Sequence, residues 1–277
     1  SLLRAGQIGA ASRLAIQCCQ NEPTQVSHWL TLAEVHLAAQ HPEKALIAYA
    51  RAEALAPLDP FVLIPHGLCL ARVGIRAPAL EKAHLASQHV GINPALFDAL
   101  GTLYTHCDDA LRAKPWFDRA VQGAPDVPAF RYNRATVLRM LGGVEAAERE
   151  LDRVIADSPA DARAYLIRSD LRTQTPDHNH LQPLRQQLAQ ARGADEVSLC
   201  FALAKELDDL AHYDESFAAL ERGCRLQRSA MRYDVQSDIT LLQQLPTLHY
   251  KALPRDGHTS HEPIFVVGLP RTGTTLV

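Results

Sequence analysis

Residues 60–93 read PFVLIPHGLCLARVGIRAPALEKAHLASQHVGIN, and residues 94–127 read PALFDALGTLYTHCDDALRAKPWFDRAVQGAPDV. The two stretches are equal in length, begin with proline and carry glycine at the eighth position, as Gly67 and Gly101. Within each half, apolar residues recur at intervals of three and four, which is typical of an amphipathic helix. A repeated pair of helices therefore decides the fold.

The same period extends beyond these two stretches. The small residues at the eighth position of successive units are Ala33, Gly67, Gly101 and Ala135. Three further sets keep the same spacing: Ala45, Ala79, Ala113 and Ala147; Tyr49, Ala83, Phe117 and Leu151; and the closing-turn residues Pro57, Gly91, Pro125 and Pro159. Two antiparallel helices can approach closely only where a small residue faces the partner. One pair cannot bury its apolar face alone, so successive pairs must stack.

The spacing, the small residues and the closing proline together resemble the tetratricopeptide repeat, a helix-turn-helix unit of about 34 residues. This resemblance implies an all-α solenoid over residues 1–230. Its expected units are a partial one at 1–25, full ones at 26–59, 60–93, 94–127 and 128–161, a degenerate one at 162–192 and a last one at 197–230. A helix near 233–245 and a linker rich in proline, together spanning 231–262, should follow.

In tetratricopeptide repeats the first helices of the units line one face, which binds protein or peptide. The resemblance therefore implies a protein or peptide partner on this face. The residues at the corresponding positions are Leu30, Glu34, Phe61, Ile64, Leu68, Arg72, Asp98, Tyr132, Arg139, Arg163 and Asp170. They include apolar groups and charges of both signs.

A polar insertion at residues 174–180, QTPDHNH, interrupts the repeat between helices expected at 162–173 and 181–192. His178 and His180 lie near Asp177, but this spacing is not that of a zinc site. We interpret them as solvated loop residues and predict no metal site.

Two adjacent carboxylates, Asp208 and Asp209, follow in a first helix of the last unit. Paired carboxylates can serve acid-base catalysis. Charged positions of such a helix normally face solvent, so we expect these two to be surface residues.

The segment 263–277, PIFVVGLPRTGTTLV, has a different character from the repeats. Its β-branched and aromatic run predicts a buried parallel strand, and the following Gly-rich stretch predicts a loop that holds an anion at a helix N-terminus. Gly268 and Gly273 have the spacing of a nucleotide-triphosphate loop, but Thr274 replaces the lysine of that motif. Arg271 supplies a cation that can fork onto phosphate or sulfate oxygens.

The loop resembles the 5′-phosphosulfate loop of sulfotransferases, Pro-[Lys/Arg]-[Ser/Thr]-Gly-Thr-Thr, over residues 270–275. The resemblance implies binding of 3′-phosphoadenosine 5′-phosphosulfate as the sulfuryl donor, with no metal. The implied binding residues are Arg271, Thr272, Gly273, Thr274 and Thr275. Together with the repeats, and with residues 174–180 and 201–215, it also resembles bacterial proteins that join a tetratricopeptide array to a truncated α/β P-loop-like sulfotransferase domain, here beginning at residue 263.

This resemblance implies transfer of a sulfuryl group to a hydroxyl acceptor, with tyrosine in a protein as one option beside saccharides and small alcohols. No catalytic residue is expected within the sequence, because the family's general base would lie beyond Val277. Since the chain starts at Ser1 and stops where a helix should begin, we expect a fragment that is inactive by itself. The alternative is an interaction scaffold in which the repeats act and the terminal loop is inert.

Composition limits the classes of partner and the cellular environment that we expect for this protein. The net charge is −3, the aromatic content is 6%, and no long basic run occurs, so we expect no nucleic-acid partner. No apolar stretch approaches the roughly 18 residues of a membrane helix, so we expect no membrane span. The six cysteines lack disulfide or zinc spacing. We expect them to be reduced and mostly buried, as in a cytoplasmic protein.

Overall fold

The computed structural model describes residues 6–231 and 233–244. Within these residues the chain forms fourteen α-helices and no β-strand, only one isolated bridge between Thr175 and His178. The helices are α1 (Ile8–Asn21), α2 (Val26–Ala38), α3 (Pro42–Leu55), α4 (Pro60–Arg72), α5 (Arg76–His89), α6 (Pro94–His106), α7 (Ala110–Gly123), α8 (Pro128–Met140), α9 (Val144–Asp157), α10 (Ala162–Ser169), α11 (Leu181–Gln190), α12 (Ala194–Asp209), α13 (Tyr213–Ala230) and α14 (Val235–Gln244). The prediction of an all-α array is confirmed for the described residues.

The first helices begin at strong local signals. Proline occupies the first turn of α4, α6 and α8, where its missing N–H costs no hydrogen bond. The carboxylate of Asp59 accepts a hydrogen bond from the N–H of Phe61 at 2.9 Å, and Asn93 caps α6 in the same way through Ala95. These caps satisfy N–H groups that the helix itself leaves unpaired.

The turns inside the units share one backbone conformation. The residues with positive φ in these turns are Gln40, Gly74, Asp108 and Gly142, which are again spaced by one repeat period. Left-handed backbone ends a helix by letting the next N–H groups reach its last carbonyls. Glycine adopts it freely, whereas for Gln40 and Asp108 it costs roughly 1 kcal/mol. The turn geometry therefore follows the repeat even where the residue type does not.

The chain divides into two units, Ser1–Ala230 and Met231–Val277. In the first, antiparallel pairs such as α4 with α5 and α6 with α7 pack side by side, and each pair packs against the next. The largest buried cluster spans α4 to α8 and includes Leu63, Leu100 and Leu103, none of which is exposed. Of the second unit, the structure describes α14 and the residues beside it.

The residues that the period aligned inside the helices lie in the core, whereas those aligned at the closing turns are exposed. The four alanines of the second register are fully buried, and in the third register Tyr49, Ala83, Phe117 and Leu151 are at most 3% exposed. Cys19, Cys69, Cys107 and Cys200 are also buried, and all six cysteines are free thiols. This confirms the expectation of mostly buried, unbridged cysteines.

Glycine at the eighth position allows the closest helix approach. A Cβ atom built on Gly101 in α6 would lie 2.8 to 2.9 Å from three ring atoms of Phe117 in α7. One built on Gly67 would lie 2.7 Å from a methyl group of Leu103 in the next unit. These distances are too short for carbon atoms, so a Cβ atom at either position would displace the Phe117 ring of the partner helix or the Leu103 side chain of the next unit.

The insertion changes the helices around it. The predicted helix at 162–173 was too long, because α10 ends at Ser169. Beyond that point side chains hold the backbone: Gln174 donates its N–H to Asp209 at 2.7 Å, and the Lys205 ammonium donates to the carbonyl of Arg172. Such tertiary hydrogen bonds replace the helical ones. The strand and loop predicted at residues 263–277 lie outside the described residues.

We predict that Gly101→Ala destabilises the protein although alanine is the better helix former. The new methyl group must push the Phe117 ring, which is held in the core, and overpacking of this kind costs roughly 1–3 kcal/mol. Urea unfolding followed by circular dichroism measures the effect. The matched control is Gly9→Ala in α1, where the nearest atom would be 3.9 Å away. This variant should gain up to about 1 kcal/mol. Equal behaviour of the two variants would contradict the close contact.

Candidate binding face

The first helices of the units carry the residues that the sequence assigned to a binding face, here called the first-helix face. All eleven except Ile64 are at least partly exposed, and Phe61 is exposed to 57%. Ile64 is 1% exposed and belongs to the core, so its assignment to the face is wrong. It is a member of the largest buried cluster, and its position within the repeat does not by itself distinguish this from exposure.

Three contacts join neighbouring first helices on this face. The amide of Asn133 in α8 donates to both carboxylate oxygens of Asp98 in α6, at 2.9 and 3.0 Å. The Arg163 guanidinium lies 4.9 Å from the centre of the Tyr132 ring. Arg139 in α8 pairs with Asp170 after α10, at 3.2 Å. These contacts hold α6, α8 and α10 as one continuous surface.

Asp98 is in an unfavourable place for a charge. Burial raises the pKa of this carboxyl group, and the hydrogen bonds from Asn133 lower it only in part. A half-buried carboxylate without a cation partner costs stability at neutral pH. Perturbed groups of this kind are concentrated at functional sites. Asp98 is therefore the residue of the face with the clearest electrostatic signature.

A small cleft lies between α6 and α8. Its lining residues are Thr102, Thr105, His106, Phe117, Asn133 and Thr136. The cavity volume is about 90 Å³, which is well below the roughly 300 Å³ of small-molecule sites. The cleft is therefore large enough for one side chain of a bound segment, and too small for a nucleotide.

The Arg72 guanidinium places a positive charge near His106, at one edge of the cleft. Burial lowers the pKa of His106, and the nearby charge of Arg72 lowers it further, so His106 stays neutral beside the guanidinium. Arg72 is exposed, and no described carboxylate forms an ion pair with it. An acidic group on a partner could therefore take this place.

The 174–180 insertion differs from the solvated loop predicted for it. Glu206 of α12 is fully buried and accepts hydrogen bonds from the Ser169 hydroxyl at 2.5 Å, from the N–H of His180 at 2.6 Å and from His180 Nδ1 at 3.1 Å. Burial alone would raise the pKa of Glu206, but the hydrogen bonds from His180 and Ser169 outweigh it and hold the pKa below its usual value. The assignment of His180 to a solvated loop is wrong.

Asp208 and Asp209 have different environments. Asp208 is exposed, as expected. Asp209 is half-buried and binds the Lys205 ammonium at 2.5 Å as well as the N–H of Gln174. Asp209 therefore fixes the insertion. One feature of the sequence indicates this role of Asp209. Charged residues interrupt an otherwise apolar helix, and a polar insertion occurs elsewhere in the same repeat region.

Comparisons with known proteins agree with the helical architecture. A tetratricopeptide repeat protein from Parabacteroides merdae is 16% identical and superposes with a TM-score of 0.60, covering 87% of this chain and 93% of that one. PilF of Pseudomonas aeruginosa is 19% identical with a TM-score of 0.54, covering 78% and 92%. A chain of the Cut9–Hcn1 hetero-tetramer is 16% identical with a TM-score of 0.54, covering 80% and 40%.

The array has the tetratricopeptide-repeat fold. No family model matches the sequence. An uncharacterized protein of Aquifex aeolicus is 27% identical over 144 residues, which are 50% of this chain and 19% of that protein. The chain thus matches about a fifth of this relative's length.

Two further sequence predictions concern the terminal loop and membrane spans. The loop residues Arg271, Thr272, Gly273, Thr274 and Thr275 lie outside the described residues, so their role stays a prediction. Among the described helices of this tetratricopeptide array, none is both long and apolar enough to cross a membrane.

We predict that Asp98→Asn stabilises the array at neutral pH, because it removes the cost of burying a charge while leaving a partner for Asn133. The sign follows from the raised pKa: the contribution of Asp98 is most favourable below the pKa of the unfolded chain, about 3.9, and is lost as the pH rises through the folded value. The urea midpoint of Asp98→Asn should exceed that of the wild type at pH ~7, and the gap should shrink toward pH ~4. An equal gap at both pH values would rule out the burial cost.

Proposed function

We propose that the described residues form a scaffold that binds a protein or peptide on the first-helix face. The observation that carries this proposal is the continuous surface of α6, α8 and α10, which combines the side-chain-sized cleft with the half-buried carboxylate of Asp98. The raised pKa of Asp98 means that its charge costs stability there. Such a cost is common at binding sites.

The chemistry of the face indicates the kind of segment it binds. Arg72 offers a guanidinium for an acidic side chain. Tyr132 and Arg163, whose guanidinium also pairs with Asp161, offer an apolar ring and a polar planar group. The cleft beside Asn133 accepts one small side chain. An extended acidic segment that crosses α4, α6 and α8 satisfies all three features. The same fold occurs in a chain of the Cut9–Hcn1 hetero-tetramer, which is a protein assembly.

Selection from a library of displayed peptides that each carry an acidic residue tests this proposal. Fluorescence anisotropy then measures the affinity of the selected peptides. Arg72→Ala should weaken binding about 10-fold, the loss expected for one charge-assisted hydrogen bond. Tyr132→Ala should weaken it similarly.

The matched control is Arg149→Ala, which removes an exposed arginine from the second helix α9. Binding to this variant should stay within about two-fold of the wild type. If the peptides bind the Arg72 and Tyr132 variants as tightly as the wild type, the first-helix face is not the binding site.

A second function rests on the sequence of residues 263–277 and not on the described residues. The resemblance of residues 270–275 to the phosphosulfate loop supports a sulfotransferase domain that follows the array. In that arrangement the array brings a hydroxyl-bearing protein to 3′-phosphoadenosine 5′-phosphosulfate. A reducing, cytoplasmic compartment suits both functions, because four of the six cysteines are buried free thiols.

We expect a protein in which residues 263–277 belong to a complete sulfotransferase domain to bind 3′-phosphoadenosine 5′-phosphate, measured by calorimetry. Arg271→Ala should weaken binding at least about 10-fold, because a bidentate guanidinium contact to the 5′-phosphate is lost. Arg255→Ala, in the preceding linker, is the control and should bind normally. Unchanged affinity of Arg271→Ala would contradict the assigned role while leaving the scaffold proposal intact.

A further inference from the structure

The polar insertion brings together three metal-ligating side chains from two separate parts of the sequence. Glu148 lies on α9, and His178 and His180 lie on the insertion. One ligand atom from each residue lies within 4.8 Å of the other two. His178 Nε2 is 3.5 Å from Glu148 Oε1. None of the three belongs to the first-helix face.

We propose that Glu148, His178 and His180 bind a zinc ion. Two imidazole nitrogens and one carboxylate oxygen form a ligand set that zinc uses where a fourth position is left to water. Zinc–ligand bonds of about 2.0–2.2 Å place tetrahedral ligand atoms about 3.4 Å apart. The contact between Glu148 and His178 already has this spacing, and the exposed loop position of His178 allows the remaining distances to shorten.

The surroundings of His180 prepare its ring for a metal. The carboxylate of Glu206 can only accept hydrogen bonds, so the contact at 3.1 Å places a proton on Nδ1 of His180 and leaves Nε2 as the free lone pair. Carboxylate–histidine–metal arrangements of this kind fix the tautomer and the orientation of zinc-binding imidazoles. Glu206 is a positioning residue in this arrangement and does not contact the metal.

The two carboxylate oxygens of Glu148 are in different situations. Oε2 accepts a hydrogen bond from the Arg172 guanidinium. Oε1 is buried and has no hydrogen-bond donor among the described residues. A buried carboxylate oxygen without a hydrogen bond costs free energy, and a cation bound between it and His178 removes that cost.

The net charge around Glu148, His178 and His180 permits a bound cation although Arg172 is nearby. The carboxylates are those of Glu148, Asp209 and Glu206, and the cations are Arg172 and Lys205. One negative charge is therefore left over. Magnesium and calcium prefer oxygen ligands, so the two imidazoles select zinc or a similar transition metal.

Bound zinc links the insertion to α9, because its ligands come from both. It fixes residues 174–180 against the last regular unit, where the repeat register breaks. The metal therefore stabilises the junction between the regular and the degenerate units.

Zinc titration of the tag-free protein, after removal of metals by a chelator, tests the site. The wild type should bind one equivalent tightly enough to compete with a zinc-chelating dye, and Co²⁺ at the same site should give the visible absorption of tetrahedral coordination. Zinc should raise the melting temperature, whereas magnesium should not. His178→Asn should abolish all three effects, and since this side chain is 49% exposed the variant should fold normally.

The control is His212→Asn, because His212 is an equally exposed histidine outside the cluster, paired with Glu215. It should bind zinc like the wild type. Glu206→Gln should weaken zinc binding about 10–100-fold, as expected for loss of a supporting carboxylate, and restoring affinity with Glu206→Asp would separate this role from folding. The proposal is overturned if the wild type binds no zinc, if His178→Asn binds it equally well, or if His212→Asn loses it equally.

Discussion

The close approach of the two helices within each unit is the constraint on which the rest of this structure depends. Gly101 touches the ring of Phe117, and Gly67 lies against Leu103 of the next unit, with no space for a Cβ atom at either place. These contacts bring each pair close enough for its large side chains to fill the layer shared with the neighbouring pair. Stability is therefore distributed over successive interfaces of similar size.

This arrangement also determines where binding chemistry can occur. The inward-facing residues of both helices of each pair form the core, so the first helices can carry polar and aromatic groups on their remaining, shared surface. Asp98, Tyr132 and Arg163 illustrate this: each is on a first helix, and each contacts a residue of a neighbouring first helix. A regular core thus supports a variable surface.

The break in the repeat has a different basis. The buried carboxylate of Glu206 requires donors, and the backbone and imidazole of His180 and the hydroxyl of Ser169 supply them. Because α10 is cut short at Ser169, the insertion can turn back onto α12. A buried, fully hydrogen-bonded carboxylate has few alternative partners, so it specifies one conformation of this loop.

The sequence by itself determined the all-α class, the helix-pair period and the buried registers, because small residues and apolar spacing recur with one constant period. Through its resemblance to the tetratricopeptide repeat, the sequence also located most of the first-helix face, because the repeat fixes which positions of each first helix lie there. It failed at Ile64, which belongs to the core, and at His180 and Asp209, whose partners were not evident from the local pattern.

Only the tertiary structure decided which polar residues meet. Glu148 and His178 are separated in the sequence by the whole of α10, and His180 is separated from Glu206 by the whole of α11. Local patterns carry no information about such pairs, because their distance depends on how the units stack and where the insertion turns. The sequence therefore predicts the periodic packing of the helices. The cluster of Glu148, His178, His180 and Glu206 forms only because the repeat is interrupted in the folded chain.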